Sequence, residues 1–202
     1  MDSPLLQLCL LGIIAYLFHL WLSDLRSAKK GVVATGSFPG ALPCSIQWIL
    51  IGVAGALILV GGETLGESML GLSSEQSSMT ILFALVTVAS GFGEELVFRG
   101  YLVITKKGNP VLWLGILGFS LLFAVVHPYL WRWENGGLEI QFTTKAWFST
   151  GVVFLNSLWF YYLRFAKSNS NNSLWPCIAA HAASNGAVFF VKLAQGHVSG
   201  FY

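Results

Sequence analysis

Long apolar stretches are the feature that most constrains what this chain can fold into. Six of them are each long enough to cross about 30 Å of hydrocarbon, at about 1.5 Å of rise per residue. Only 10% of the residues are charged, against about 25% in a soluble domain. The sequence therefore predicts an all-α, polytopic membrane helix bundle of about six transmembrane helices, with spans at about 4–22, 44–62, 79–105, 110–127, 146–165 and 174–194.

Nothing in the sequence divides the chain into parts. There is no repeat of fixed period and no low-complexity tail, so we expect residues 1–202 to form a single integral membrane domain. The N-terminus has neither a basic region before its apolar run nor a small-x-small cleavage site, which predicts a retained helix rather than a signal peptide. The net charge of +2, without a basic cluster, gives no reason to expect nucleic acid as a partner.

The three cysteines are predicted to be structural. Cys9, Cys44 and Cys177 lie far apart among apolar residues, and they form neither a CxxC pair nor a zinc-binding spacing. Their odd number and apolar neighbours are typical of buried thiols.

The distribution of basic residues predicts the orientation in the membrane. If the six spans alternate, seven Lys and Arg residues fall on one side and three on the other. Because basic loops stay in the cytoplasm, both termini are expected on the non-cytoplasmic side. The larger group is Arg26, Lys29, Lys30, Lys106, Lys107, Arg164 and Lys167, and the smaller group is Arg132, Lys145 and Lys192.

The stretch "GFGEELVFRG", residues 91–100, places three ionisable side chains inside an apolar span. Each of them costs roughly 2.5–3.5 kcal/mol near the centre of a spanning helix. Glu95 and Arg99 are four residues apart and share one helix face, in the order that favours an ion pair. Glu94 points about 100° away from them, towards a different neighbour.

Further polar residues occur in two other spans. His127 ends the fourth span, and His181 and Asn185 lie four residues apart in the sixth. The "KKGNP" turn predicts that the third and fourth helices are antiparallel neighbours, and residue counting then places these groups and Glu94 at similar depths. A network that only fixes helix packing is the structural alternative, but interhelical polar contacts contribute only about 0.6 kcal/mol each. We therefore expect a functional site.

These motifs resemble those of the CPBP family, which includes CAAX-type and bacteriocin-processing (Abi) membrane proteases. "EELVFRGYL" resembles the family's EExxxR motif, "FAVVH" its FxxxH motif and "HAASN" its HxxxN motif, in the family's order and each on its own span. The resemblance covers about residues 79–190, the expected CPBP/Abi catalytic core.

The resemblance implies a glutamic-type intramembrane protease that uses neither a metal nor another cofactor. Glu94 would be the general base that activates water, assisted by His127. His181 and Asn185 would stabilise the oxyanion, while Glu95 and Arg99 would organise the site. The implied partners are the lipid bilayer and a membrane-associated peptide or protein, with or without a lipid.

The residues alone leave other functions open. Two carboxylates and two histidines are also ligands for zinc or iron, although no HExxH motif occurs. Serine chemistry lacks a GxSxG motif. A non-catalytic immunity, scaffold or chaperone protein would have no need to keep all of these residues, and a proton-coupled transporter usually contains a repeated half. The substrate is also open, although the absence of an added soluble domain favours peptide processing in a prokaryotic plasma membrane over CAAX trimming in a eukaryote.

The stretch "PYLWRWENGG", residues 128–137, connects the fourth and fifth spans. We expect an interfacial loop held at the membrane surface by Trp131 and Trp133, because tryptophan concentrates at that boundary. The alternative is a lid or a rest for the substrate.

Overall fold

The computed structural model describes residues 3–134 and 136–202, and within those ranges the chain forms a bundle of six α-helices. A π-helical segment, Leu96–Tyr101, continues α3, and a two-stranded antiparallel ribbon separates α4 from α5. This confirms the predicted all-α membrane bundle. The elements are α1 Pro4–Lys29, α2 Ile46–Met69, α3 Ile81–Glu95, α4 Asn109–Val126, β1 Trp131–Glu134, β2 Gly137–Ile140, α5 Thr144–Phe165 and α6 Trp175–Ala194.

Five of the helices in the described ranges are long and apolar enough to cross a membrane, and α5 is the exception. All six predicted spans form helices, but the apolar composition predicted for the fifth is not found in α5. The reason is that α5 carries polar residues which face the interior of the bundle, where Ser149, Thr150, Ser157 and Arg164 are buried. Thr150 donates to the Ala146 carbonyl and Ser157 accepts from Arg99, so the polar composition of α5 reflects contacts within the protein.

Helix α6 lies at the centre of the bundle. It packs against α2, α3 and α5, while α1 packs against α3. Four aromatic rings join α1, α3 and α6, with edge-to-face contacts of 5.0 Å between Phe18 and Phe92 and 6.1 Å between Trp21 and Phe92. Trp175 completes the group, 5.6 Å from Trp21. Dense packing of this kind holds helices together where lipid is as apolar as the side chains.

The expected antiparallel packing of α3 on α4 is wrong. Helix α4 packs mainly against α5, because the helical part of the preceding span ends at Tyr101 and residues 102–108 form an irregular connection instead of a tight turn. Side chains still bridge the gap, with Phe98 and Phe123 in edge-to-face contact at 4.9 Å. The backbones of α3 and α4 are thus separated beside the predicted site.

The prediction of three buried thiols is correct for Cys177 only. Cys44 is half-buried and Cys9 is exposed on α1. The outer face of α1 meets lipid in a membrane, so a thiol there is surrounded by apolar groups without being inside the protein.

Helices α2 and α5 are in close contact at small residues. The Trp159 indole N–H donates to the Gly52 carbonyl at 3.1 Å, and the Trp48 indole N–H donates to the Leu163 carbonyl at 2.9 Å. A Cβ at Gly55 would lie 2.2 Å from the Trp159 ring. The absence of a side chain at Gly55 is therefore what allows the close approach.

We predict that Gly55→Ala destabilises the bundle by about 1–3 kcal/mol, the usual cost of overpacking a core. Gly61 is the matched control in the same helix, since a Cβ there would meet nothing within 4 Å. Thermal unfolding in detergent should show a lower Tm for Gly55→Ala and an unchanged or higher Tm for Gly61→Ala. Equal Tm values for the two variants would contradict this packing.

Candidate active site

The site begins where α3 changes into the π-helical segment. Glu94 and Glu95 are the last two residues of α3, and Arg99 lies in the π-helical turn that follows. The Tyr161 hydroxyl of α5 donates to the Phe98 carbonyl at 2.7 Å and lies 3.4 Å from the Leu102 carbonyl. The widened helix is stabilised because a side chain from α5 binds backbone carbonyls in and just beyond the turn. Such π-helical turns are frequent at functional sites.

The ion pair predicted between Glu95 and Arg99 is confirmed. The Arg99 Nη1 atom lies 3.1 Å from Glu95 Oε1, and both side chains are fully buried. The Arg99 Nη2 atom donates to the Ser157 hydroxyl at 2.6 Å. The aromatic rings nearest its guanidinium are those of Phe123, Tyr161 and Phe160, at 4.4, 4.9 and 5.2 Å. A buried cation is stable only with such compensation.

His181 shares the carboxylate of Glu95. Its Nδ1 lies 2.8 Å from Glu95 Oε1, and its ring stacks on Phe160 at 4.9 Å. Because the ion-paired carboxylate can only accept, His181 Nδ1 carries a proton and Nε2 faces the remaining space. Gly91 of α3 makes room for this ring, since a Cβ there would lie 3.1 Å from its Cγ and Cδ2 atoms.

His127 lies directly after the end of α4. The predicted span 110–127 included it, whereas the helix ends one residue earlier, at Val126. Its Nδ1 is 2.7 Å from the Phe123 carbonyl. A carbonyl accepts only, so this nitrogen also carries a proton, and Nε2 is again the free nitrogen.

The two free imidazole nitrogens meet at Glu94. Its Oε2 lies 3.8 Å from His127 Nε2 and 3.8 Å from His181 Nε2. The atom is buried and has no hydrogen-bond partner within the described part of the chain. Both distances are too long for direct hydrogen bonds. With neutral imidazoles the three atoms are all acceptors, so they require a donor between them, either a water molecule or an added proton.

Asn185 lies one helical turn beyond His181 on the same face of α6. Its Nδ2 donates to the Thr87 carbonyl at 2.7 Å and so joins α6 to α3. The structure therefore brings Glu94, His127 and His181 together at one point. Asn185 is placed beside that point and is bound to the helix backbone.

The structure adds residues that the motifs did not indicate. Ser157 and Tyr161 support the π-helical turn from α5, and Gly91 accommodates His181. The signal for the first two was present in the sequence, because they are polar residues four apart in an apolar stretch. No motif assigned that stretch to the site.

Tyr129 covers the outer side of His127. The two rings are parallel within 7°, with centroids 6.4 Å apart. Partial desolvation of the phenol, with the carboxylates of Glu63, Glu67 and Glu94 nearby, raises the pKa of Tyr129 to about 12. Its hydroxyl therefore keeps its proton at neutral pH and remains a hydrogen-bond donor near the site.

The described residues contain no group of three or more His, Cys, Asp or Glu side chains suited to holding a metal ion. Glu94 and His127 are about one-third exposed, with side-chain accessibilities of 33% and 29%, whereas Glu95 is fully buried. One part of the cluster is thus accessible from outside and the other is sealed within the bundle.

Fold and site together define an integral membrane protein with a partly accessible carboxylate–histidine centre between its helices. The model of the family described as type II CAAX prenyl endopeptidase Rce1-like matches residues 76–187, just over half of the chain. The chain belongs to this family, and so to the CPBP proteins that its motifs resemble. Membership supports a CAAX-type intramembrane protease with a membrane-associated peptide substrate. No curated protein and no solved structure matches the chain.

We predict that Arg99→Ala lowers the stability of the protein by about 3–5 kcal/mol, because it leaves the buried Glu95 carboxylate without its cation. Arg132→Ala is the matched control, since Arg132 pairs with Glu134 and Glu139 on the exposed surface at 3.0 and 3.6 Å. Exposed pairs contribute about 0–1 kcal/mol. Thermal unfolding in detergent should separate the two variants clearly.

A double-mutant cycle isolates the ion pair itself. Adding Glu95→Gln to Arg99→Ala should cost less than the sum of the two single substitutions, because the second change removes the stranded charge. Strict additivity would show that the two residues do not stabilise each other.

Proposed function

We propose that this chain is a glutamic-type intramembrane endopeptidase in which Glu94 activates the water that attacks the peptide bond. The observation that carries the proposal is the position of Glu94 Oε2, buried, without a hydrogen-bond partner in the described residues and 3.8 Å from two imidazole nitrogens. A water molecule between these atoms can donate to Glu94 and to His127. Both contacts orient it and prepare it for deprotonation.

The first chemical step is the attack of water on the scissile carbonyl carbon. Glu94 takes one proton from the water, a carbon–oxygen bond forms, and the carbonyl electrons move onto the oxygen to give an oxyanion. His127 holds the attacking oxygen through Nε2. Because its Nδ1–H is bound to the Phe123 carbonyl, its ring cannot turn freely away from Glu94.

His181 is proposed to stabilise the oxyanion. To donate through Nε2 while Nδ1–H is bound to Glu95, it must carry both protons in this step. Charge is then balanced, since Arg99 and His181 are positive while Glu94 and Glu95 are negative. A donor aimed at an oxyanion contributes about 2.7–4 kcal/mol in well-studied enzymes.

Collapse of the intermediate completes the reaction. The carbonyl re-forms, the carbon–nitrogen bond breaks, and the proton held by Glu94 passes to the departing amine. Asn185 is proposed as the second oxyanion donor, since a primary amide has two N–H groups and the bond to Thr87 uses one. The products are a carboxylic acid and an amine, which together contain all the atoms of the peptide and of one water molecule.

The finer points of substrate and location belong to the same proposal. The bond is cleaved in a membrane-associated peptide, with or without a lipid on it, of CAAX type or of the kind processed from sorting signals and bacteriocins. Of the seven basic residues counted above, Arg164 is buried in α5. The other six support an orientation with both termini outside the cytoplasm, in which α5, 22 residues long, crosses the membrane with the other five helices. The proposed location is a prokaryotic plasma membrane.

The first test is cleavage of a mixed pool of lipidated and unlipidated peptides by the purified protein in liposomes, read by mass spectrometry. Glu94→Gln and His127→Ala should each lower the rate by at least about 10²-fold, as loss of a general base does. Their Tm values should remain close to that of the unsubstituted protein. Retained cleavage in Glu94→Gln at equal expression would refute the role of Glu94.

A chelator-treated sample distinguishes the metal-dependent alternative. Carboxylate oxygens and imidazole nitrogens are also zinc ligands, so loss of activity on chelation and its return with added zinc would assign the same residues to a metal. Activity that survives chelation but not Glu94→Gln supports the glutamic mechanism. A complete lack of cleavage across the pool would favour a binding role.

We also predict that Gly91→Ala lowers kcat roughly tenfold by displacing the His181 ring, since small misplacements near the reacting atoms are costly. Gly93→Ala, two residues later in the same helix, should leave kcat within about twofold, because a Cβ there meets nothing within 4 Å. Steady-state kinetics of both variants with one identified peptide provide the measurement. Equal kcat values would show that His181 does not need this space.

A further inference from the structure

Carbonyl groups in the last turn of α4 accept hydrogen bonds from side chains, because the residues directly after the helix do not donate backbone N–H groups to them. Pro128 has no N–H, and the Tyr129 N–H turns back to the His127 carbonyl at 2.8 Å. In a continued helix, Tyr129 would have donated to the Val125 carbonyl instead. The Trp131 indole N–H, from the first residue of β1, donates to Val125 at 2.7 Å.

The same turn carries His127. Its imidazole is held by the Phe123 carbonyl through Nδ1 and lies against the Tyr129 ring. Both of these residues are within four positions of His127, so the ring moves with the end of α4. Any shift of that end changes the 3.8 Å separation between His127 Nε2 and Glu94 Oε2.

The two tryptophans of the ribbon that follows differ in their contacts and in their exposure. Trp131 pairs with Ile140 and Trp133 with Leu138, so all four lie on one face of the ribbon. Trp133 is 69% exposed, whereas Trp131 is half-buried and bound to α4. Within two residues the chain thus offers one tryptophan that contacts α4 through its N–H and one that is mostly exposed.

We propose that Trp131 is a positioning residue for His127. Its indole N–H fixes the final turn of α4 and thereby sets the distance and direction of the imidazole towards Glu94. Pro128 has no N–H and Tyr129 donates elsewhere, so without the indole the carbonyl that it binds has no donor among the described residues that follow it, and the last turn is no longer fixed to the ribbon. The consequence for catalysis rests on the proposed function, but the positioning itself does not.

The direct test is NMR of protein labelled with ¹⁵N-histidine in lipid nanodiscs. The chain has four histidines, and each signal is assigned by its own His→Gln substitution. Trp131→Phe keeps an aromatic ring and removes the N–H. We expect the ¹⁵N chemical shifts of the His127 ring to change as its separation from Glu94 changes. The His181 signals should stay unchanged, and Trp133→Phe should leave both residues unaffected.

Kinetics provide the second readout. Trp131→Phe should lower kcat roughly tenfold with KM within about twofold, since a displaced His127 ring affects the orientation of the attacking water more than substrate binding. Trp133→Phe should lower neither. If Trp131→Phe leaves the His127 signals identical to those of Trp133→Phe, the proposal is overturned.

Two further comparisons distinguish a change in the position of His127 from a loss of folding and from a failure of the proposed function. If Trp131→Phe lowers Tm much more than Trp133→Phe, Trp131→Gln is compared, because it restores an N–H donor without the indole. Recovery of the His127 signals supports positioning by the hydrogen bond, and no recovery overturns it. If the unsubstituted protein cleaves no peptide while Trp131→Phe still shifts His127, the positioning stands and the proposed function fails.

Discussion

The ion pair between Glu95 and Arg99 is the interaction on which the rest of the site depends. Arg99 is fully buried, so its charge is balanced by one carboxylate, one serine hydroxyl and the faces of aromatic rings. Glu95 in turn binds His181 through the same oxygen that binds Arg99. The group that neutralises the cation therefore also holds the proton on Nδ1 of His181 and orients its ring. Removing either partner would disturb stability and chemistry together.

The composition of α5 is a consequence of this arrangement. A π-helical turn places Arg99 against α5, and the turn is stable only because Tyr161 binds the Phe98 carbonyl where no water can. Ser157 completes the coordination of Arg99 from the same helix. These polar residues lower the mean hydropathy of α5, which is why it falls outside the five helices that are apolar enough to span a membrane. The polar side chains of α5 named here bind groups inside the bundle.

Local spacing predicted those parts of the site that lie within one helix. The i,i+4 rule identified the pair of Glu95 and Arg99, and the motifs indicated that Glu94, His127 and His181 meet. The packing of α4 on α5 could not be predicted, because the length of the connection between α3 and α4 does not determine which helix α4 packs against. The short strands were also missed. Four residues of alternation, Trp131–Glu134, are few, but the Asn-Gly dipeptide at 135–136 is typical of a two-residue hairpin turn and was an available signal. Gly136 has a φ of 76° in the structure.

The position of the candidate site at a helix end provides the access that the proposed hydrolysis needs within a membrane. A residue in the middle of α4 would be enclosed by its own helix, whereas His127 lies after the last turn, where the backbone is already extended. The separation of α3 from α4 leaves Glu94 and His127 partly exposed while Glu95 and Arg99 remain sealed. Water and an extended peptide both need such an opening, because an unfolded backbone is tolerated at this depth only beside polar groups. The buried pair and the open pair are therefore complementary, since the first keeps the helices in place and the second gives reactants access to them.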